Sequence, residues 1–348
     1  MITMRFSRRS LLAQGSALIG VGAVACVTEK QGADSGLSPA PSGGGGDSAA
    51  PLDEIPPITS NEDHYVTSCC GSPTLDRDAW RLALRDRTLG QDRALGSLSL
   101  ADLQALGGRD KEHTLQCIGS GPRHQAIGNA VWTGLPLREA LDALGFAVPA
   151  AATELYLEGA DAYTTAVPVG DLDRPIWIVW AMNGEPLPRD HGGVVRLLVP
   201  GRYGMKNVKW LVALHFIDQP HLGFWEEVGW SNDCTIRANA FIASPTTAVL
   251  DPGDYDLLGT AYAGEDPIAL VEVSLDDGAT WAPAEITYPG GPSIWTLWRQ
   301  PWTATPGGHR IRVRATTQSG QTTGDPAGSD TYSGYDGGMA WEVIVNGG

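Results

Sequence analysis

Hydrophobic residues follow three patterns along the chain, and each pattern predicts a different kind of structure. A largely apolar run without a charged side chain covers residues 11–25. Between residues 57 and 236, short apolar runs typical of strands alternate with short segments of helical periodicity. From residue 243 onward, apolar and polar positions alternate between turns rich in Gly and Pro. We therefore expect a leader, a mixed body and an all-β body.

Local patterns in the mixed body predict individual helices and strands. Ser99 to Ala105 should form a short helix, because a capping Ser is followed three residues later by Asp. Leu135 to Leu144 should form a second helix, with Pro136 in its first turn. Ile176 to Trp180 is an apolar strand, and Asn183-Gly184 after it predicts a tight hairpin turn. Together these elements predict an α+β body.

The second body has strand patterns alone. Residues 269–275 and 309–315 alternate with period 2, so Ile311, Val313 and Ala315 should face a core, with the intervening arginines in solvent. About seven strands in about 100 residues favour an immunoglobulin-like sandwich. The expected fold class is an α+β body followed by an all-β immunoglobulin-like sandwich.

Composition narrows the classes of function. The 348 residues are 42% hydrophobic and 18% charged, which is typical of a folded globular protein. The 44 Gly and 24 Pro favour turns and strands and argue against an all-α fold. A net charge of −16 excludes a protein that binds nucleic acid through a broad basic surface. The length favours two domains.

The first 56 residues have the features of an exported protein. Ser7-Arg8-Arg9-Ser10-Leu11-Leu12 resembles the twin-arginine signal, which exports folded proteins, so residues 1–25 are the expected signal peptide. Ala23-Val24-Ala25-Cys26 resembles a lipobox, and a lipid on Cys26 would make the Gly- and Ser-rich residues 26–56 a flexible membrane tether. Cleavage before Cys26 leaves a net charge of −19. We expect a periplasmic or other extracytoplasmic location, with lipid anchoring left open.

Four cysteines lie beyond the lipobox: Cys69, Cys70, Cys117 and Cys234. Exported proteins retain disulfides, and in one alternative Cys69 or Cys70 pairs with Cys234, although spacing alone leaves the connectivity open. The chain has no CxxCH motif, so we expect no covalently attached haem. The cysteine spacing does not suit a structural zinc site.

A cationic segment stands out within the acidic chain. Residues 186–215 contain five cations and one acidic residue: Arg189, Arg196, Arg202, Lys206, Lys209 and Asp190. Clustered like charges favour a site for phosphate or another anion, and the alternative is an ion-paired surface ribbon.

Cys117 ends a strand-like run and precedes a turn that contains glycine. One interpretation is a small buried hydrophobic side chain. The other is a thiolate that binds a metal or acts as a nucleophile, which requires electropositive and partly open surroundings. The cationic segment would supply such surroundings.

Three ordered motifs resemble the sulfite oxidase family of molybdenum enzymes. They are His113-Thr-Leu-Gln-Cys117-Ile-Gly, Trp180-Ala-Met-Asn-Gly-Glu-Pro-Leu-Pro-Arg-Asp-His191-Gly and Val199-Pro-Gly-Arg-Tyr-Gly-Met-Lys-Asn-Val-Lys209-Trp210. Val271-Glu-Val-Ser-Leu-Asp-Asp-Gly-Ala-Thr-Trp281 is similar to that family's C-terminal dimerisation domain. The resemblance divides the chain into a molybdopterin-binding domain, residues 57–240, and an immunoglobulin-like dimerisation domain, residues 241–348.

This resemblance implies a molybdenum-pyranopterin cofactor and a homodimer. Cys117 would be the only protein ligand to molybdenum, since a soft thiolate suits a metal already held by dithiolene sulfurs. Matching positions would contact the pterin and its phosphate: His64, Tyr65, Asp161, His191, Arg196, Asn207, Val208 and Lys209.

The chain departs from the family at the position of the substrate. Sulfite-oxidising members place arginines over the metal, whereas this chain has Thr67 at the first such position and has Arg123 and His124 displaced. Trp230 stands where the family has an active-site tyrosine. These departures disfavour sulfite. Arg123, His124 and Arg202 are candidates for a different anion pocket. For Trp230 the alternatives are packing in a core or interface and a bulkier, less charged mouth that suits a neutral oxide.

The resulting hypothesis is an exported oxidoreductase that moves an oxygen atom and two electrons between substrate and water. Its expected catalytic residues are Cys117, Trp230, Arg123 and His124. Without a haem or flavin motif, electrons should pass to a separate protein such as a cytochrome c, preferably a basic one. Two alternatives remain: a sulfoxide reductase, whose relatives usually lack the sandwich domain, and a lipid-anchored binding protein without the metal.

Overall fold

The computed structural model describes residues 53–121, 125–324 and 331–347, and these are mostly β-sheet with few helices. The helices are α1 Leu100–Ala105, α2 Leu137–Ala143 and α3 Phe224–Glu227. The strands before residue 230 are β1 Arg81–Asp86, β2 Arg93–Ser99, β3 Arg109–Gln116, β4 Ile127–Pro136, β5 Glu154–Gly159, β6 Thr164–Pro168, β7 Trp177–Met182, β8 Glu185–Pro186, β9 Arg196–Leu198 and β10 Leu211–Ile217. The later strands are β11 Asn239–Ser244, β12 Val249–Leu250, β13 Gly253–Tyr262, β14 Ile268–Ser274, β15 Ala282–Pro283, β16 Glu285–Tyr288, β17 Thr296–Ala304, β18 Gly307–Thr317 and β19 Ala340–Val345.

The first ten strands form two sheets. One has the order β2-β1-β10-β5-β6, in which β1 and β10 are parallel. The other has the order β3-β4-β7-β8, and β9 also pairs with β7. Apolar side chains from both sheets meet in one core, including Leu82, Leu157, Ile178 and Leu214. The α+β expectation is therefore only partly right, because in the described residues the helices are short and strands dominate this body.

The predicted helices are present, with one corrected boundary. α1 begins after Ser99, and the capping box that the sequence indicated is formed with Asp102. The second helix does not begin at Leu135, because β4 continues to Pro136 and pairs there with β7. Pro136 is the residue before the helix rather than part of its first turn. Strand pairing thus overrides the local helical signal at this position.

The hairpin after the apolar strand β7 is confirmed. Asn183 and Gly184 both have positive φ, 52° and 78°, as a tight turn between antiparallel strands requires. Asn183 is fixed further because its side chain donates to Thr59 O and accepts from Val131 N. The turn therefore also ties the chain before β1 to the second sheet.

The last nine strands form a four-stranded sheet, β11-β13-β17-β16, and a five-stranded sheet, β12-β19-β18-β14-β15. Their facing side chains enclose a separate core that contains Phe241, Val271, Trp298 and Ile311. The alternation predicted for β18 is confirmed: Ile311 is buried, while Arg310, Arg312 and Arg314 lie on the other face, where each pairs with an acidic side chain.

The two parts of the described chain meet along β3, the strand that leads to Cys117. The side chains of Gln116 and Asn239 exchange two hydrogen bonds of 3.0 and 3.1 Å in a buried position. Tyr262 Oη donates to Thr114 O, and Trp295 N donates to Thr114 Oγ1. β3, the strand that leads to Cys117, is therefore held in place by residues of the later part of the chain. None of the helices in the described ranges has the length and apolar character needed to cross a bilayer.

Candidate functional site

Cys117 directly follows β3 and begins a tight turn. Its N–H donates to Ala126 O and its carbonyl accepts from Ser120 N, both at 2.9 Å. Burial raises the pKa of the Cys117 thiol, and hydrogen bonds from the Gly119 backbone and the Thr67 side chain act in the opposite direction. Cys117 is only partly exposed, and a sulfur in such a position with two hydrogen-bond donors is suited to ligation rather than to packing alone.

Trp230 and Tyr65 lie against the same turn. A Cβ atom built on Gly119 would be 3.5 Å from Trp230 Cη2 and 4.0 Å from Cys117 Sγ, so the indole and the sulfur are neighbours. A Cβ on Gly204 would be 3.0 Å from Tyr65 Oη and 3.9 Å from Cys117 Cα. A side chain at position 204 would therefore crowd Tyr65, whereas position 119 has room for a Cβ, and the structure brings three predicted site residues together.

His64 and His191 form the next part of the site. His64 is 2% exposed, its ring centroid is 5.3 Å from that of His191, and its Nε2 atom has no hydrogen-bond partner. Burial and the nearby His191 lower the pKa of His64 to about 3. His191 Nε2 lies 2.6 Å from Asn61 O. A neutral imidazole with an unused nitrogen in a buried position is available to a polar ligand.

Arg196 is a buried cation without a carboxylate partner in the part of the chain that the structure describes. It is 5% exposed, and its guanidinium lies 5.2 Å from the centroid of the Trp132 ring. Nη1 donates to His191 O at 2.9 Å and Nη2 to Asn207 O at 3.0 Å, whereas Nε has no partner. Burial lowers the pKa of Arg196 to about 10. The positive charge is therefore uncompensated within the described protein.

Lys209 is a second cation without a carboxylate partner among the described residues, although it is only partly buried. Its Nζ donates to Asp190 O at 3.1 Å and lies 4.2 Å from the centroid of the Trp210 ring. Burial and then Arg196 lower the pKa of Lys209 to about 7. Asp161 lies nearby and accepts from Tyr163 N at 3.2 Å; burial raises the pKa of its carboxyl, and Lys209 opposes that shift.

The other three cations of the cationic segment are ion-paired. Arg189 pairs with Asp190 on the surface. Arg202 pairs with Asp171 and Asp233, and Lys206 with Glu226. Carboxylates already compensate the charge of Arg202, which counts against its expected part in an anion pocket. The ion-paired alternative therefore describes these three cations, whereas an anion site at Arg196 and Lys209 stays a prediction.

Asn207 and Val208 shape the loop between Arg196 and Lys209. Asn207 Oδ1 accepts from Val199 N, and its Nδ2 donates to the carbonyls of residues 202 and 203. Val208 is buried at 1% exposure, and its carbonyl accepts from Leu197 N. In this structure both side chains are committed to the protein interior.

Arg123 and His124 lie outside the described residues. The disulfide differs from the alternative considered above: Cys69 and Cys70 bond to each other. Cys234 is a buried free thiol whose Sγ donates to Ser231 O, so its pairing with Cys69 or Cys70 is not observed.

Some residues at the site carry no recognisable sequence signal. Asn61 reaches His191 from 130 positions away, and His113 is fully buried with an unpartnered Nδ1. Thr67 was noted only as a replacement for arginine, yet it bonds to the Cys117 sulfur. Only the folded contacts reveal these roles.

Two family models match this chain, one for each part. An oxidoreductase molybdopterin binding domain matches residues 70–225, and a Mo-co oxidoreductase dimerisation domain matches residues 232–322. The molybdopterin-binding match includes Cys117, Arg196 and Lys209. The matches thus identify an oxidoreductase molybdopterin binding domain followed by a Mo-co oxidoreductase dimerisation domain.

Similar proteins agree with that class. Mitochondrial sulfite oxidase of Rattus norvegicus is 28% identical over 70% of this chain and 52% of its own length. Sulfite oxidase of Gallus gallus is 30% identical over 69% and 62%, and nitrate reductase [NADPH] of Phytophthora infestans is 28% identical over 68% and 32%. The chain belongs to the sulfite oxidase family. It spans about half the length of the mitochondrial sulfite oxidases that it matches.

One solved structure has the same fold over most of its length. The sulfane dehydrogenase SoxCD from Paracoccus pantotrophus superposes with a TM-score of 0.71 over 84% of each chain, at 21% identity.

The residues present fit an anionic molybdopterin. Arg196 Nε and His64 Nε2 are buried polar atoms without partners, and such atoms are rare unless a ligand satisfies them. Arg196 and Lys209 carry charge that described carboxylates do not neutralise, and phosphate would accept charge-assisted hydrogen bonds from both. Cys117 offers a soft donor close to these groups.

Gly128 is expected to be essential for the position of His64. A Cβ on Gly128 would lie 2.7 Å from His64 Cδ2 and 2.9 Å from Nε2, so Gly128→Ala must displace the imidazole. We expect roughly tenfold weaker cofactor retention, measured as molybdenum per folded chain after dialysis. Gly170→Ala is the matched control, because a Cβ there meets no atom within 4 Å. Equal molybdenum content in both variants would contradict this role.

Lys209 should give the cofactor-free chain a pH-dependent stability. The unfolded Lys209 retains its proton up to about 10.5, whereas the folded side chain loses it near a pKa of about 7. Between these values the unfolded state binds more protons, so the free energy of unfolding rises with pH. Lys209→Met should remove this increment and be the more stable protein below pH 7, as measured by urea unfolding at pH 6 and 9. Exposed Arg189→Met is the control; parallel wild-type and Lys209→Met curves would refute the assignment.

Proposed function

We propose that this chain is a molybdenum-dependent oxidoreductase that transfers an oxygen atom to or from a small substrate, coupled to two electrons. The observation that carries the proposal is the buried guanidinium of Arg196, which has no carboxylate partner among the described residues. It lies within the matched molybdopterin domain and close to His64, whose Nε2 atom also has no described partner. When bound, the cofactor supplies the oxygen-transfer and electron chemistry, and the protein supplies binding, orientation and electrostatics.

Each residue of the site has a role that its contacts support. Cys117 is the proposed metal ligand, and the hydrogen bonds from Thr67 and Gly119 stabilise its thiolate form. Arg196 and Lys209 would hold the phosphate, and His64 and His191 the pterin. Tyr65 and Asp161 would line the same cofactor, with backbone groups of Asn207 and Val208 in the loop between the two cations.

For the substrate we propose a small oxygen acceptor of low charge rather than the sulfite dianion. Trp230, Thr67 and Tyr65 are described side chains near Cys117, and none of them carries a charge. Arg202 is compensated by Asp171 and Asp233. A dianion would lack the charge-assisted bonds that are worth about 1.5 to 3 kcal/mol each. A sulfite-like anion is the alternative, and in that case Arg123 and His124 would have to supply the missing contacts.

A turnover screen tests this function. The molybdenum-loaded protein is assayed with sulfite plus an artificial acceptor, and with sulfoxides plus a reduced dye. We expect molybdenum in the wild type and turnover that Cys117→Ser abolishes while circular dichroism is unchanged. Cys234→Ser, which alters the other free thiol, is the control and should remain active. A protein that folds in a cofactor-competent host without molybdenum would refute the oxidoreductase and favour a binding protein that has lost the metal.

The screen also distinguishes the direction of the reaction. A sulfoxide reductase would consume reduced dye with sulfoxides and remain inactive with sulfite. The matched dimerisation domain at residues 232–322 counts against that alternative, because reductase relatives usually lack it. We propose that the main activity is oxidation of the substrate by transfer of an oxygen atom to it.

We further propose that electrons pass to a separate basic carrier such as a cytochrome c. The net charge of −16, or −19 after cleavage before Cys26, should steer a cation-rich partner to the protein. Raising ionic strength from about 10 to 150 mM should slow electron exchange with a basic cytochrome c severalfold, as measured by stopped flow. An acidic cytochrome is the control; equal salt dependence of both partners would refute steering.

Assembly and location belong to the same proposal. The dimerisation-domain match supports a homodimer formed through the immunoglobulin-like residues 241–348, with residues 57–240 binding the cofactor. We propose twin-arginine export after cofactor insertion, with residues 1–25 removed and residues 26–56 as a tether, lipidated or not at Cys26.

A further inference from the structure

Lys206 and Glu226 form a deeply buried ion pair next to the site. Their side chains are 2% and 0% exposed, and no other ion pair of the described residues is as deeply buried on both sides. Lys206 Nζ also donates to Thr165 Oγ1 and Ala166 O at 2.9 Å and to Asn232 Oδ1 at 2.8 Å. The ammonium is therefore held in one position by several acceptors, unlike a mobile surface lysine.

Each partner belongs to a different wall of the site. Lys206 ends the one-turn helix Gly204–Lys206, whose first residue packs against the Cys117 backbone and Tyr65 Oη. Glu226 lies in α3, four residues before Trp230, and Trp230 reaches the turn that contains Cys117. The ion pair thus joins the wall that carries the sulfur to the wall that carries the indole.

Apolar packing alone does not hold the Trp230 wall. Leu222, Phe224 and Val228 are 48%, 43% and 57% exposed, whereas Trp225 and Trp230 pack partly against the cores. Polar contacts add to this partial packing: His221 N donates to Glu154 Oε2 at 2.9 Å, besides the bonds made by Glu226. A segment whose apolar side chains are only partly buried depends on such specific contacts for its position.

The backbone geometry also favours one position of α3. A Cβ on Gly223 would lie 2.0 Å from Thr164 O, so the helix begins in direct contact with β6. Glu226 Oε1 then accepts from Thr165 Oγ1 at 2.6 Å on the same strand. The Glu226 carboxylate therefore connects β6, α3 and the one-turn helix Gly204–Lys206.

We propose that Lys206 and Glu226 are positioning residues that fix Trp230 beside Cys117 and so set the width of the substrate mouth. The mouth belongs to the function proposed above, but the position of Trp230 can be measured without that function. Loss of the pair would let the Trp230 segment move away while Cys117, held by β3, stays in place.

The test uses full-length Glu226→Gln, which retains the side-chain volume and removes the charge. In cofactor-free protein, iodoacetamide labelling of Cys117, followed by peptide mass spectrometry, should be at least about tenfold faster than in wild type. In the molybdenum-loaded protein, the KM for a small substrate should rise while bulky substrates gain in relative kcat/KM. A purely structural role would lower the amount of folded enzyme without this split.

Asp86→Asn is the matched control, because Asp86 is a 2%-exposed carboxylate whose partners all lie in residues 88–93, outside the site. It should lower the melting temperature without faster labelling of Cys117. If Glu226→Gln proves unfolded, Lys206→Met with Glu226→Leu removes both charges and keeps the volume, and faster labelling is still expected. Labelling at the wild-type rate, or equally faster in Asp86→Asn at matched stability, would overturn the proposal.

The two proposals fail separately. Absence of molybdenum from wild type would refute the proposed enzyme and leave the labelling result to stand on its own. An active wild-type enzyme whose Glu226→Gln variant has unchanged labelling and unchanged KM would refute only the positioning role.

Discussion

The uncompensated charge of Arg196 is the constraint on which the site depends. A buried cation without a carboxylate carries a desolvation cost that backbone carbonyls repay only in part. The surrounding rings of Trp132 and His64 tolerate the guanidinium but do not neutralise it. An anion bound beside Arg196 would therefore stabilise the folded chain. Burial, and after it the charge of Arg196, lower the pKa of Lys209.

The proposed metal ligand, Cys117, depends on both halves of the described chain. Cys117 follows β3, and β3 is fixed on one edge by β4 and elsewhere by Asn239, Tyr262 and Trp295. The later sheets thus stabilise β3 in addition to any part they play in assembly. Breaking the two hydrogen bonds between Gln116 and Asn239 would leave three buried polar atoms without these partners, since Asn239 Nδ2 also donates to Arg237 O.

The sequence predicts local features well and long-range contacts poorly. The α1 cap, the Asn183-Gly184 turn and the β18 alternation follow from neighbouring residues, and all three are confirmed. The predicted start of α2 is wrong because β4 pairs with β7, whose residues lie about 40 positions further along the chain. The division of the cationic segment into paired and unpaired members required the positions of Asp171, Asp233 and Glu226, which no local spacing encodes.

Arg196 and Lys206 are similar residues of one segment, yet their surroundings suit them to two different roles. Both are buried cations of the cationic segment, ten residues apart. Lys206 has a carboxylate partner, so removing either member would leave an unpaired charge in the protein interior. In our proposal this pair holds two walls of the site together. Arg196 has none among the described residues, so its charge is available to a ligand. The partner of a buried charge, rather than the charge itself, therefore distinguishes a binding group from a group that holds the wall beside it.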